Sequence, residues 1–136
     1  MDNCNKYNAF HKNVYNLGTL PKKYRDAVRL YTGDYYKGEQ IPRNVRFLEY
    51  IIPTSILVGD LEELAKQDGY SNFEAYHTAY AQTHDLKKLD EIWPVFLDDN
   101  FGCIIEDGIS RFHSYVEQEL EFVPCIVMRE VNYGKC

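Results

Sequence analysis

The chain has 136 residues, 45% hydrophobic and 26% charged, which suits one folded domain with its own core and excludes a disordered polymer. Its formal net charge of −6 argues against passive attraction to a nucleic-acid backbone, so direct DNA binding is not expected. No signal-peptide-like run and no long apolar span occurs, which predicts a cytoplasmic protein with no membrane partner.

In chain order, residues 1–18 are polar and aromatic without a clear period, and "LGTLP" punctuates them. Pro21 suits the first turn of a helix. Tyr24, Ala27, Val28 and Tyr31 fall at i, i+3, i+4 and i+7, so residues 21–31 are predicted as an amphipathic helix ended at Gly33. Residues 1–46 are thus expected to be an N-terminal helical extension, and residues 47–136 the main domain. Lys22, Lys23, Arg25 and Arg29, followed by Arg43 and Arg46, leave room for a local basic face. "RFLEYIIP" fits a strand or a short helix, since so short an apolar run has no deciding period. "PTSILVGDLEELAKQ" offers a helix with its N-cap at Thr54, Ser55 or Asp60. "GYSNFEAYHTAYAQTH" is a clearer helix: Ser71 as N-cap with Glu74 makes a capping box, and Phe73, Tyr76, Ala79 and Tyr80 form its apolar stripe. "DLKKLDEI" suggests another short helix.

From residue 92 the pattern changes. "WPVFL", the turn residues "DDNFG" and "CIIE" predict a β-hairpin. Ser110–Glu119 reads as a helix, and "FVPCIVMREV" as a strand with Pro124 near its start, where a missing donor is tolerated. Strands and helices together indicate an α/β (α+β) domain. Cys4, Cys103, Cys125 and Cys136 show no paired spacing, so no zinc is expected. Cys103 and Cys125 lie in apolar runs and read as buried small hydrophobes.

The chemistry-bearing stretch is "EDGISRFHSY", residues 106–115. A helix start leaves orphan N–H groups and a partial positive charge, which suits phosphate or carboxylate. Gly108 allows close backbone approach, and Arg111 adds a forked, permanently charged donor. Glu106 and Asp107 could hold a divalent cation, as Mg²⁺ prefers beside a polyphosphate. The simpler alternative is that Ser110 caps the helix and Asp107 pairs with Arg111. His77 and His84, seven residues apart, share a face of one continuous helix but have no third ligand, and read as an exposed pair. His113, two residues after Arg111, reads as pointing away from the turn.

"WPVFLDDNFGCIIEDGISRFHSYVEQELEFVPCIVM", residues 93–128, resembles the core of the ParB/sulfiredoxin-like domain. The landmarks are Pro94, Asp107-Gly108, Arg111 and Val123-Pro124, in that order. "IIPTSILVGDLEELA", residues 51–65, is similar to that family's first strand and helix, so the resemblance covers roughly residues 50–130. It implies a small mixed sheet with packed helices. The sulfiredoxin branch places a catalytic cysteine between the glycine and the arginine; Ile109 and Ser110 stand there, so its reductase chemistry is not expected. In the chromosome-partition branch the arginine belongs to a pocket for CTP with Mg²⁺. That branch has a second arginine where this chain has Phe112, and it continues into a DNA-binding region for which no room follows. Looser members act as nucleotide hydrolases or nucleases. The resemblance implies nucleotide binding (CTP or ATP) at Asp107, Gly108, Ser110 and Arg111, with Mg²⁺ at Glu106 and Asp107, and leaves weak hydrolysis open.

Two alternatives accompany it. A degenerate scaffold of this kind, acidic and rich in tyrosine (12 in all), could bind a host protein as a phage- or plasmid-encoded inhibitor or decoy. "AVRLYTGDYYKGEQIPRNVR", residues 27–46, is also similar to the opening of ADP-ribosyltransferases. "EQELEF" is similar to their glutamate motif, with Glu119 or Glu121 as the catalytic candidate, although the elements between are missing. Glu117, Glu119 and Glu121 read more simply as a solvated helix end.

Overall fold

The structure, a computed structural model, describes residues 5–25, 45–86, 92–98 and 104–130. A 3-10 turn, Asn5–Phe10, leads into β1 (His11–Tyr15). β2 (Val45–Pro53), α1 (Thr54–Gln67) and α2 (Phe73–Thr83) follow, then β3 (Val95–Asp98), β4 (Ile104–Asp107), α3 (Ile109–Glu117) and β5 (Phe122–Glu130). The strands form one five-stranded sheet in the order β1-β2-β5-β3-β4. β5 pairs antiparallel with β2 and parallel with β3, so the sheet is mixed. A parallel neighbour cannot be reached by a tight turn. After the antiparallel β3–β4 hairpin, α3 is the crossover that carries the chain back to β5.

The central strands are buried on both faces, which removes the usual alternation of apolar and polar residues. β2 sends Tyr50 and Ile52 toward the helices, where they meet Leu57, Phe73, Phe112 and Tyr115. Its Val45 and Phe47 pack on the other face with Phe96, Ile126 and Leu20. "RFLEYIIP", ambiguous by period, is therefore a strand.

The N-terminal segment corrects an expectation. Its described part is not a helical extension: β1 is an edge strand paired with β2. Tyr7 is buried in the core on the helical face and Leu20 in that on the other, so residues 7–20 clasp the sheet edge. β1 is mostly exposed, and its pairing with β2 rather than a hydrophobic period of its own makes it a strand. Residues 22–25 are helical; the rest of the helix expected at 21–31, with Arg29 and Arg43, lies outside the described residues. So do Cys103 and the centre of "DLKKLDEI". Cys125 is fully buried.

Two caps also differ from expectation. α1 begins at Thr54 after Pro53, with no side-chain cap; Asp60 lies within the helix. Thr54 instead anchors the helix start to the turn before β5, its N–H donating to the Glu121 carbonyl at 2.9 Å and its Oγ1 to the Leu120 carbonyl at 2.6 Å. The N-cap of α2 is Asn72, not Ser71. Its backbone is extended and its Oδ1 accepts from the Ala75 N–H at 2.8 Å, which satisfies an otherwise orphan donor. Among the described residues no helix is long and apolar enough to cross a membrane.

Candidate functional site at the start of the crossover helix

Gly108 ends β4 and opens α3 with φ +94°, a left-handed conformation that favours glycine. A side chain there would also crowd a neighbour: an added Cβ would stand 3.2 Å from Arg111 Cζ. The guanidinium therefore lies folded back over the glycine. Its Nη1 donates to the Pro94 carbonyl, just ahead of β3. A helix start carries partial positive charge and is ordinarily complemented by acids. α3 has none in its first turn and has Arg111 there instead, so side chain and helix contribute positive potential at one point.

Ser110 is exposed and does not cap the helix, because Gly108 occupies the cap position with no side-chain bond. Its Oγ accepts from the Tyr80 hydroxyl at 3.1 Å. Gly108, Ser110 and Arg111 thus share one turn, and Asp107 precedes it in β4. The side chains of Glu106 and Asp107 lie outside the described residues. Among the described residues no group of three or more His, Cys, Asp or Glu converges as metal ligands.

Tyr115, one helical turn beyond Arg111, was missed in the sequence. It is fully buried, donates to the Trp93 carbonyl at 2.7 Å and accepts from the Trp93 N–H at 2.8 Å. Arg111 and Tyr115 therefore grip adjacent residues, Pro94 and Trp93, and fix α3 against the start of β3. Burial holds the Tyr115 phenol above its ordinary pKa. The i,i+4 spacing of the two donors was the available signal.

A second cluster lies where α2 meets α3. His77 Nδ1 and His113 Nδ1 are 2.7 Å apart. Their rings are near-parallel, 12° apart, with centroids 4.9 Å apart. An atom pair that close is shorter than any face-to-face stacking distance, so the rings meet edge to edge through a hydrogen bond. His77 Nε2 lies 2.6 Å from Glu117 Oε1. Tyr80 stacks on His113 at 4.0 Å, and His84 stacks on Tyr80 at 3.8 Å. His113 is 0% exposed, and its Nε2 has no hydrogen-bond partner among the described residues. Burial lowers its pKa to about 4, with the neighbouring His77 and His84 charges acting in the same direction. The expected exposed histidine pair is thus half wrong: His84 is exposed, while His77 is buried. His113–Glu117 and Phe73–His77 are both i,i+4 pairs, a signal that becomes readable once the helix phases are known.

Elsewhere a cavity of about 210 Å³ lies between the 3-10 turn, α1 and the β3–β4 hairpin. Leu57, Leu61, Leu97 and Ile105 line it beside Tyr7 and Asp60. Asp60 is already engaged by the Tyr7 hydroxyl and, at 3.3 Å, by Lys6. Comparison of the chain with protein-family models, with curated proteins and with solved structures found no significant match to any of them.

Proposed function

We propose that the chain is a small nucleotide-binding protein of ParB/sulfiredoxin-like type, with the phosphates held at the β4–α3 turn by the first N–H groups of α3 and by Arg111. One observation carries the proposal: the left-handed Gly108, the helix start and the Arg111 guanidinium coincide. Mg²⁺ would enter with the polyphosphate, for which Glu106 and Asp107 are the proposed ligands. Binding rather than turnover is the expected activity. Phe112, standing where the partition branch has its second arginine, is fully buried and belongs to the core. No second basic side chain from α3 is then available to support a transferred phosphoryl group.

One observation favours the competing scaffold, which would bind a host protein through its surface. Arg111 Nη1 already hydrogen-bonds the Pro94 carbonyl, so part of its donor capacity is spent on the fold. Calorimetric titration separates the two. Under the nucleotide proposal CTP, ATP or GTP binds saturably in the presence of Mg²⁺. Arg111→Ala weakens that binding at least tenfold, about 1.4 kcal/mol for a lost charge-assisted contact. Absence of binding by all three, from folded protein, favours the scaffold.

A further inference from the structure

We propose that Glu117, His77 and His113 form a proton-operated latch fastening α3 to α2, closed while a single proton lies between the two imidazole Nδ1 atoms. At 2.7 Å two ring nitrogens require one proton between them. With none, two lone pairs face each other; with two, the N–H groups collide. The Glu117 carboxylate accepts from His77 Nε2, so that nitrogen carries a proton. In the uncharged pair His113 Nδ1 therefore donates to His77 Nδ1, and His113 Nε2 is left as a bare lone pair. That nitrogen is the buried one without a hydrogen-bond partner among the described residues.

The proton inventory then follows. One added proton goes to His113 Nε2, and the shared proton crosses to His77 Nδ1. The positive charge comes to rest on His77, beside the Glu117 carboxylate, and the Nδ1–Nδ1 bond survives with donor and acceptor exchanged. A second added proton has no such place. Both imidazoles would carry two N–H groups, and like charges would face each other at hydrogen-bond distance between the rings of Phe73 and Tyr80. The latch opens at that point.

Among the described residues, titratable groups act on the pair from both helices. α2 contributes His77, His84, Tyr76 and Tyr80, and α3 contributes Glu117. Asp68 and Tyr70, which follow α1, act on Tyr76. Among the described residues no lysine or arginine hydrogen-bonds to either imidazole. The latch does not depend on whether the β4–α3 turn binds a nucleotide.

The test is ¹⁵N NMR of the imidazoles in the full chain across the acid range, with amide hydrogen exchange recorded in parallel. At neutral pH a through-bond N–N coupling should join His77 and His113. Both rings should leave that state in one joint step. In the same step, amide protection in α2 and α3 should fall about tenfold, more than that of β2 and β5. Glu117→Gln alters an exposed side chain and should move the step to higher pH, since the carboxylate that holds the singly protonated, closed pair together is gone. Independent titration without N–N coupling overturns the latch. So does joint titration with unchanged helix protection, or a step that Glu117→Gln leaves in place.

Discussion

Tyr115→Phe lowers the unfolding free energy by about 3 kcal/mol, although it removes only one oxygen. The phenol oxygen bridges both backbone groups of Trp93, and the tyrosine that carries it is fully buried. The substitution leaves two part-buried polar groups without that partner, each worth about 1–3 kcal/mol. Phenylalanine fills nearly the same volume, so packing loss adds little. Denaturant unfolding at neutral pH checks this, with an unchanged m-value expected. A loss below about 1 kcal/mol would mean that Trp93 finds other partners and that α3 is not fixed to β3 by this side chain.

Acid should cost the fold about as much. The His113 pKa is lowered in the folded chain to about 4, while an unfolded histidine titrates near its ordinary value of about 6.5. Between those values the unfolded chain binds the proton and the folded chain does not, so stability falls as pH falls. His113's contribution is fully present above the unfolded pKa and is exhausted at the folded one. The whole window amounts to roughly 3 kcal/mol. Because carboxylates titrate in part of the same range, the quantity to measure is the difference in pH slope between the wild type and His113→Leu. Parallel curves would show that His113 charges as easily in the folded protein as in water.

The C-terminal half of the fold was legible because each of its elements has its own local signal. The "WPVFL" and "CIIE" runs flank turn residues, Gly108 precedes a helix, and the β-branched "FVPCIVM" is a strand. The N-terminal edge, residues 5–20, hid its structure because its signals are tertiary. β1 has little burial of its own and exists through its partner β2. Tyr7 and Leu20 are core residues only because the chain wraps a sheet edge.

The candidate site divides the same way. Gly108 and Arg111 stood out because a glycine and a cation at a helix start are chemically conspicuous within five residues. That Arg111 also holds Pro94 could not be read from spacing, since β3 approaches α3 only in the folded sheet. The imidazole pair was invisible for a similar reason: His77 and His113 belong to different helices, and each alone looks like an ordinary surface histidine.

The central claim is that a phosphate-bearing ligand lands on the β4–α3 turn, and location tests it more directly than affinity does. Backbone amide NMR of the ¹⁵N-labelled chain, titrated with CTP and separately with tripolyphosphate in Mg²⁺ buffer, gives that location. The account predicts saturable shifts concentrated at Gly108, Ile109, Ser110 and Arg111 for both ligands, with the Arg111 guanidinium resonance moving in step. Shifts centred instead on the cavity beside Tyr7 and Asp60, or none at any residue, would contradict it.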